Sequence, residues 1–244
     1  RHFDLNRVPS PAFVVDEAAV RRNLSVLKDV RDRAEARVLL ALKAFSMWSL
    51  ADVVGEYLDG VCASGLWEAR LAREFYKGEL TTYSPAYTAK DLPEILRLSD
   101  HVIFNNPAQI ARFADLIAKA RAEGQVFEIG LRLNPEHSEG EVAKYDPAQP
   151  CSRLGFPVSQ LTAEHLIGVD GLHIHALCEQ DFQPLSRSWA AVDCNSASVL
   201  SPRQKDSSAN FSARCAPMRG KPRVCVSTGR RVVGAASDMV ISFF

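Results

Sequence analysis

Residues 38–45, with the sequence Val-Leu-Leu-Ala-Leu-Lys-Ala-Phe, form a short apolar run that one lysine, Lys43, interrupts near its end. Runs of this length, bounded by polar residues, are typical of buried strands. Similar runs recur along the chain, at 12–16, 38–44, 60–64, 80–84, 101–105, 127–134 and 171–176. Amphipathic segments separate them, at 17–34, 65–76, 89–98 and 107–122. This alternation predicts parallel strands joined by helical crossovers.

Polar side chains follow several of these predicted strands. Lys43, Ser64 and Asn134 come at strand ends, and His175 lies on the last strand of the series. Chemistry at the carboxyl ends of parallel strands favours a (β/α)₈ TIM-like barrel. An open doubly wound sheet is the alternative, but no glycine-rich turn follows the first strand, as a dinucleotide-binding fold requires.

The bulk composition limits the class of protein. The chain has 244 residues and a formal net charge of zero, which fits one large domain and gives no sign of a nucleic-acid or membrane-surface partner. Its six cysteines form no Cys-x-x-Cys pair, so we expect a reducing cytoplasm. No apolar run approaches the roughly 20 residues that span a bilayer, and no signal segment begins the chain. The first residue, Arg1, suggests a fragment.

The composition changes near residue 184. Residues 185–244 contain nine Lys or Arg, three Asp and no Glu, and their apolar periodicity fades. We therefore predict a barrel over 1–184 and a divergent tail over 185–244, which includes a remnant of the last barrel strands. Regular packed structure is not expected over 185–222. A basic arm for nucleic acid is one interpretation, and a sequence altered by a shifted reading frame is the other.

Lys43 and the two histidines of 171–176 are the candidate chemical groups. A lysine buried at the end of an apolar strand would have a lowered pKa and would attack an aldehyde cofactor or a carbonyl substrate. A lysine that extends its amine to solvent is the alternative. His173 and His175 should share one face of their strand, where an imidazole could stack on a pyridine ring. They could instead be ordinary hydrogen-bonded residues of the core. A metal site is not favoured, because the sequence shows no third ligand at a suitable spacing.

Five motifs, in order, carry a family resemblance. The barrel of fold-type III pyridoxal-phosphate decarboxylases, which is of the alanine-racemase type, is resembled at residues 8–16 with 21–24, Ala41-Leu42-Lys43-Ala44, 61–64 with Glu68, Ser152-Arg153-Leu154-Gly155 and 171–180. The string His-x-His-x-Leu-Cys-Glu at 173–179 is similar to the carboxynorspermidine branch of that family. The resemblance covers roughly three quarters of the chain.

The resemblance implies a cofactor, a reaction and site residues. Lys43 would be the Schiff-base lysine for pyridoxal 5′-phosphate, His175 would stack on its ring, and Ser64 and Asn134 would line the site. Cys178 and Glu179 would face a cationic polyamine substrate. The implied reaction is decarboxylation of carboxynorspermidine or carboxyspermidine in polyamine biosynthesis, by a cytoplasmic homodimer that needs no metal. Gly229 and Arg230 would complete the cofactor-binding set.

The chain also departs from the family pattern. Residues 185–222 contain no counterpart of the family's Gly-Gly-Gly phosphate loop, and Ser227 stands where a Glu-Pro-Gly motif has its glutamate. A carboxy-terminal β-domain is also without a match. We therefore expect an incomplete barrel and weak activity. The alternatives are another fold-type III enzyme, such as a diaminopimelate or ornithine decarboxylase or an amino-acid racemase, and a non-catalytic pyridoxal-phosphate-binding barrel.

Overall fold

The computed structural model of the protein describes residues 4–34, 36–140, 146–149, 151–178, 182–196, 224–228 and 238–243. Helices and strands alternate over most of this length. In chain order they are α1 (Glu17–Ala34), β1 (Arg37–Ala41), α2 (Ala51–Gly55), β2 (Gly60–Ala63), α3 (Leu66–Phe75), β3 (Glu79–Tyr83), α4 (Leu92–Leu98), β4 (His101–Phe104), α5 (Pro107–Arg112), α6 (Ala114–Ala122), β5 (Glu128–Asn134), β6 (Phe156–Pro157), β7 (Gly171–Cys178), α7 (Phe182–Ser196), β8 (Val224–Thr228) and β9 (Asp238–Phe243).

The strands form a ring. Strands β1 to β5 pair in sequence order and in parallel, and β5 pairs in parallel with β7. On the other side β8 pairs in parallel with β1, and β9 lies antiparallel between β8 and β7. The predicted α/β barrel is therefore confirmed. It is incomplete as a (β/α)₈ barrel because an antiparallel strand stands where a parallel one belongs.

The core lies between the strands and the surrounding helices. All four residues of β4 are buried, and so are six of the seven residues of β5. Strands covered on both faces need such continuous apolar sequence, which is why the runs in the sequence locate them. Three apolar clusters result, around β1 and β2, around β4 with α4 and α6, and around β5 and β7.

Three predicted elements differ in the structure. Residues 12–16 form no strand, and Phe13 is 98% exposed, because no described strand pairs with this segment. The helix predicted over 107–122 divides at Phe113, whose backbone leaves helical geometry while its ring is buried. Helix α7 corrects the expectation that 185–222 lacks regular structure. Its Ser188 and Val192, one turn apart, are both buried, which stabilises the helix.

A charged network, buried at His101 and Glu79, joins the amino ends of four strands. His101 of β4 contacts Glu79 of β3 at 2.9 Å and Glu128 of β5 at 3.2 Å, and Arg37 of β1 also pairs with Glu79. Burial by itself lowers the pKa of His101, but the two carboxylates outweigh it and raise the pKa to about 9. Burial likewise opposes ionisation of Glu79, but His101 and Arg37 lower its pKa.

This network predicts how stability depends on pH. Because the folded pKa of His101 lies above its unfolded value of 6.5, its contribution is complete below pH 6.5 and is lost as the pH rises through about 9. The shift corresponds to roughly 3 kcal/mol of unfolding free energy. For Glu79 the pH dependence of stability has the opposite direction, because its pKa is lowered. Its contribution to the free energy of unfolding is lost as the pH falls below the ordinary glutamate pKa of 4.5. Denaturant unfolding from pH 6 to 10 should show the loss in the wild type and a flatter profile in H101Q. Identical profiles would contradict the assignment.

Candidate active site

A cavity opens inside the barrel towards the carboxyl ends of β1, β2, β3 and β7. The space inside it that a water-sized molecule can occupy is about 50 Å³. Its lining residues lie on these four strands or in the turns that follow β1 and β2, and they are Ala41, Lys43, Cys62, Ala63, Ser64, Thr81, Tyr83, His173 and His175. The carboxyl ends of barrel strands are where enzymes of this architecture place their chemistry. The cavity therefore brings together three residues of the predicted site, namely Lys43, Ser64 and His175.

Lys43 lies at the mouth of this cavity and not in a buried strand. Strand β1 ends at Ala41, and the amides of Ala44 and Phe45 both donate to the Ala41 carbonyl, which turns the chain. Lys43 is consequently exposed. The expectation of a desolvated strand-end amine was wrong, because β1 ends at Ala41, three residues before the end of the predicted run 38–44. The amine faces the cavity without being sealed from water.

The histidines of β7 occupy one face of the strand, as predicted from their spacing. Both line the cavity, with ring centroids 6.4 Å apart. His173 is the deeper of the two, with only 2% of its surface exposed. Burial holds the pKa of His173 well below its ordinary value, and the charges of Arg132, His175 and Lys43 lower it further. The cavity therefore presents a neutral imidazole at its floor.

Two residues that the sequence analysis missed support this floor. The ring of Tyr83 stacks on His173, with centroids 5.3 Å apart and planes inclined by 17°. The guanidinium carbon of Arg132 lies 4.7 Å from the centroid of the Tyr83 ring. Burial raises the pKa of the Tyr83 phenol, while the charge of Arg132 opposes the shift. A sequence signal did exist for Arg132, since it is a charged residue inside the otherwise apolar run 129–133.

The Ser152–Gly155 motif is attached to the same region through Asn105. The Tyr83 hydroxyl and the amide of Gly155 both donate to the Asn105 side-chain oxygen, at 2.8 Å each. The Asn105 side-chain amide donates to the carbonyl of Arg153 at 2.9 Å. Gly155 has a φ of 84°, and a Cβ there would lie 2.8 Å from the backbone nitrogen of Asn134. Only glycine therefore fits this close approach without strain.

The other predicted site residues have different placements. Ser64 follows β2 on the cavity wall, and its amide donates to Glu68 at 2.7 Å, which fixes the start of α3. Asn134 does not line the described cavity. It is buried, and its side-chain oxygen accepts from the amide of Glu136, because β5 carries it past the cavity towards the following turn.

The predicted substrate and phosphate contacts fall mostly beyond the described part of the chain. Glu179, Gly229 and Arg230 lie outside the described residues. Cys178 is the last residue of β7 and lies opposite Asp238 of β9, and Ser227 belongs to β8 beside Val240. Within the described ranges there is no cluster of three or more His, Cys, Asp or Glu side chains placed to hold a metal. Nor does any helix in those ranges have the length and apolar character that a membrane span needs.

The chain is similar in sequence to known decarboxylases. No family model matches the chain. The carboxynorspermidine/carboxyspermidine decarboxylase of Campylobacter jejuni is 38% identical over 179 residues, which are 73% of this chain and 45% of that protein. The carboxyaminopropylagmatine decarboxylase of Synechocystis is 34% identical over 189 residues, 78% of this chain and 48% of that protein.

A solved structure supports the same relationship. The crystal structure of carboxynorspermidine decarboxylase from C. jejuni, complexed with norspermidine, superposes with a TM-score of 0.67 at 30% identity. The superposition covers 85% of this chain and 56% of that one. The chain thus spans about half the length of the relatives it matches. Over that half, the chain is similar in sequence and in fold to the carboxynorspermidine/carboxyspermidine decarboxylases.

Proposed function

We propose that the cavity binds pyridoxal 5′-phosphate and that the chain represents the cofactor-binding barrel of a polyamine-forming decarboxylase. The observation that carries this proposal is the meeting of Lys43, Ser64 and His175 in one cavity. These residues are 21 and 111 positions apart along the chain, and the family resemblance assigns all three to the cofactor. Homology to decarboxylases over about half of their length supports the reaction class.

The lining of the cavity fits this cofactor. An aldehyde needs a primary amine within reach, and Lys43 supplies one at the mouth. A flat pyridine ring needs a flat partner, and the imidazole of His175 supplies one beside the stacked pair of His173 and Tyr83. Ser64 adds a hydroxyl to the lining. When bound, pyridoxal phosphate supplies an electron sink for the charge left by departing carbon dioxide. We also propose that Gly229 and Arg230 contact the cofactor phosphate.

The protein's own residues would orient the reactants. Lys43 would hold the cofactor by its aldehyde until the substrate amine replaces it, and the lysine amine would then be available to accept or donate a proton at the mouth. His175 would keep the ring in register with Lys43. The low pKa of His173 would keep this part of the cavity uncharged beside the cofactor. These tasks require fixed geometry more than chemical reactivity of the protein.

The proposed substrate is carboxynorspermidine or carboxyspermidine, with Cys178 and Glu179 facing it. The bound norspermidine in the C. jejuni crystal structure supports a polyamine ligand. Carboxyaminopropylagmatine is the second candidate, because a relative 34% identical to this chain is named for that substrate. We extend the proposal to a cytoplasmic homodimer, as the family resemblance implies, and to a barrel over 1–184 with a divergent tail over 185–244.

Two measurements test this proposal. Titration of the purified chain with pyridoxal phosphate, followed by visible absorbance, should show saturable binding that the K43A variant lacks. Release of labelled carbon dioxide from carboxynorspermidine, carboxyspermidine and carboxyaminopropylagmatine then separates an enzyme from a non-catalytic cofactor-binding barrel. An absence of cofactor binding by the wild type would overturn the proposed function, and binding without any release would favour the non-catalytic alternative.

A further inference from the structure

Arg132 is an arginine inside the barrel, with only 3% of its surface exposed. Its side chain begins on β5 and reaches two neighbouring elements. The terminal nitrogen Nη2 donates to the backbone carbonyl of His175 on β7 at 3.0 Å. The guanidinium plane also lies against the ring of Tyr83 at the end of β3. A single cation thus connects three strands below the cavity.

Both contacts of Arg132 act on groups that line the cavity. The carbonyl it binds belongs to His175, so the contact fixes the strand at the residue whose imidazole faces the cavity. The ring it holds is Tyr83, which stacks in turn on His173 and donates to Asn105. The Asn105 side chain in turn forms hydrogen bonds with the backbone of Arg153 and Gly155. If the guanidinium moved, the stacked rings of Tyr83 and His173 would lose a supporting contact. The hydrogen bonds through which Asn105 holds the Ser152–Gly155 motif would then be weakened as well.

We propose that Arg132 is a positioning residue of this site, which fixes the Tyr83 ring and the His175 backbone so that both imidazoles of β7 face the cavity in one arrangement. The consequence for the cofactor ring rests on the proposed function, whereas the effect on the imidazoles does not. Arginine suits the task because its rigid planar fork can bind a carbonyl and stack on an aromatic ring at the same time. Lysine keeps the charge but cannot reproduce this geometry.

The electrostatic surroundings of His173 provide a readout that is independent of activity. The charged and titratable groups that face it are Arg132 from β5, Tyr83 from β3, His175 from its own strand and Lys43 from the turn after β1. On the remaining side, the register places Ser242 of β9 opposite His173. Arg132 acts on the pKa of His173 in the lowering direction, after burial. Removal of the guanidinium should raise the pKa of His173, and substitution by lysine should preserve the low value.

The experiment compares R132M and R132K with the wild type and with R112M. Arg112 is a matched control because it also lies over an aromatic ring, that of Phe113, but is exposed on α5. Histidine ring resonances are titrated by NMR in the protein without cofactor. We expect R132M to shift the titration of His173 upward and to move the His175 resonances. R132K should move the His175 resonances alone, and R112M should change neither. Unchanged imidazole resonances in R132M overturn the proposal.

Cofactor affinity provides the second readout. Pyridoxal phosphate should bind R132M roughly tenfold or more weakly than the wild type, the change that corresponds to loss of one charge-assisted hydrogen bond. Equal affinities of R132M and the wild type would also overturn the positioning role. If R132M does not fold, R132K decides, since it retains the charge and most of the packing and should still move the His175 resonances. A wild type that binds no cofactor refutes the proposed function only, because the imidazole titration still tests Arg132.

Discussion

Purified chain supplied with carboxynorspermidine and saturating pyridoxal phosphate is expected to release carbon dioxide at least roughly 10²-fold more slowly than the C. jejuni relative under the same conditions. The reason is the residue at position 227. The family resemblance aligns Ser227 with a glutamate that keeps the pyridine nitrogen protonated, and a neutral hydroxyl cannot supply that charge. Strand β8, which contains Ser227, lies parallel to β1 and so takes the place of the last barrel strand, next to the strand that leads to Lys43.

Two variants of Ser227 test the cause of this deficit. S227E restores a carboxylate and should raise turnover by about tenfold or more, whereas S227Q, of similar size but uncharged, should leave turnover low. The absence of a Gly-Gly-Gly motif over 185–222 adds a loss of phosphate binding, so S227E is not expected to reach the rate of the relative. Wild-type turnover equal to that of the C. jejuni enzyme would show that the alignment of Ser227 with the glutamate is wrong.

Substitution of Gly60 by alanine is expected to lower the free energy of unfolding by about 3 kcal/mol. Gly60 begins β2 and pairs with Leu39 of β1 and with Glu79 of β3. A Cβ at this position would lie 2.0 Å from the Glu79 carbonyl oxygen and 2.5 Å from its nitrogen. These are backbone atoms of a neighbouring strand, so no side-chain rotation can relieve the overlap, and β2 must move away from β3.

Gly55 provides a matched control for this substitution. It is the last residue of α2, and a Cβ there would meet nothing within 4 Å. G55A should therefore be neutral or slightly stabilising, by up to roughly 1 kcal/mol, since alanine favours the helix and restricts the unfolded chain. Urea unfolding of both variants gives the comparison. Equal free energies of unfolding for G60A and the wild type would mean that β2 and β3 do not approach as closely as described.

Much of the fold could be predicted because burial leaves a clear mark on local sequence. The helix predicted over 17–34 has those same bounds, and the strand runs from 60 to 134 appear within one or two residues of their predicted positions. Strand 12–16 was wrong because its apolar sequence resembles a buried strand, and sequence does not show whether a pairing partner exists. Helix α7 was missed because two buried residues one turn apart give little periodic signal in a serine-rich segment.

The candidate site could be predicted only where a residue carries its own signal. Lys43 and His175 lie in distinctive strings, and the structure brings both to one cavity. The burial expected of Lys43 failed because an apolar run does not show where its strand ends. The contact of Arg132 with Tyr83 and the carbonyl of His175 joins positions more than 40 residues apart, so only the folded barrel reveals it. The predicted tail boundary at 184 and the roles of Glu179, Gly229 and Arg230 stay predictions.

The most direct test of a cofactor site in this chain is to reduce the protein with borohydride in the presence of pyridoxal phosphate and to map the labelled peptides by mass spectrometry. Lys43 lines the cavity beside His175, whereas Lys28 and Lys77 lie on the surface, each beside an aspartate. Labelling should therefore concentrate on Lys43 at limiting cofactor, and K43A should retain only weak, dispersed label. Strong label on other lysines, with none on Lys43, would contradict the assignment of this cavity to pyridoxal phosphate.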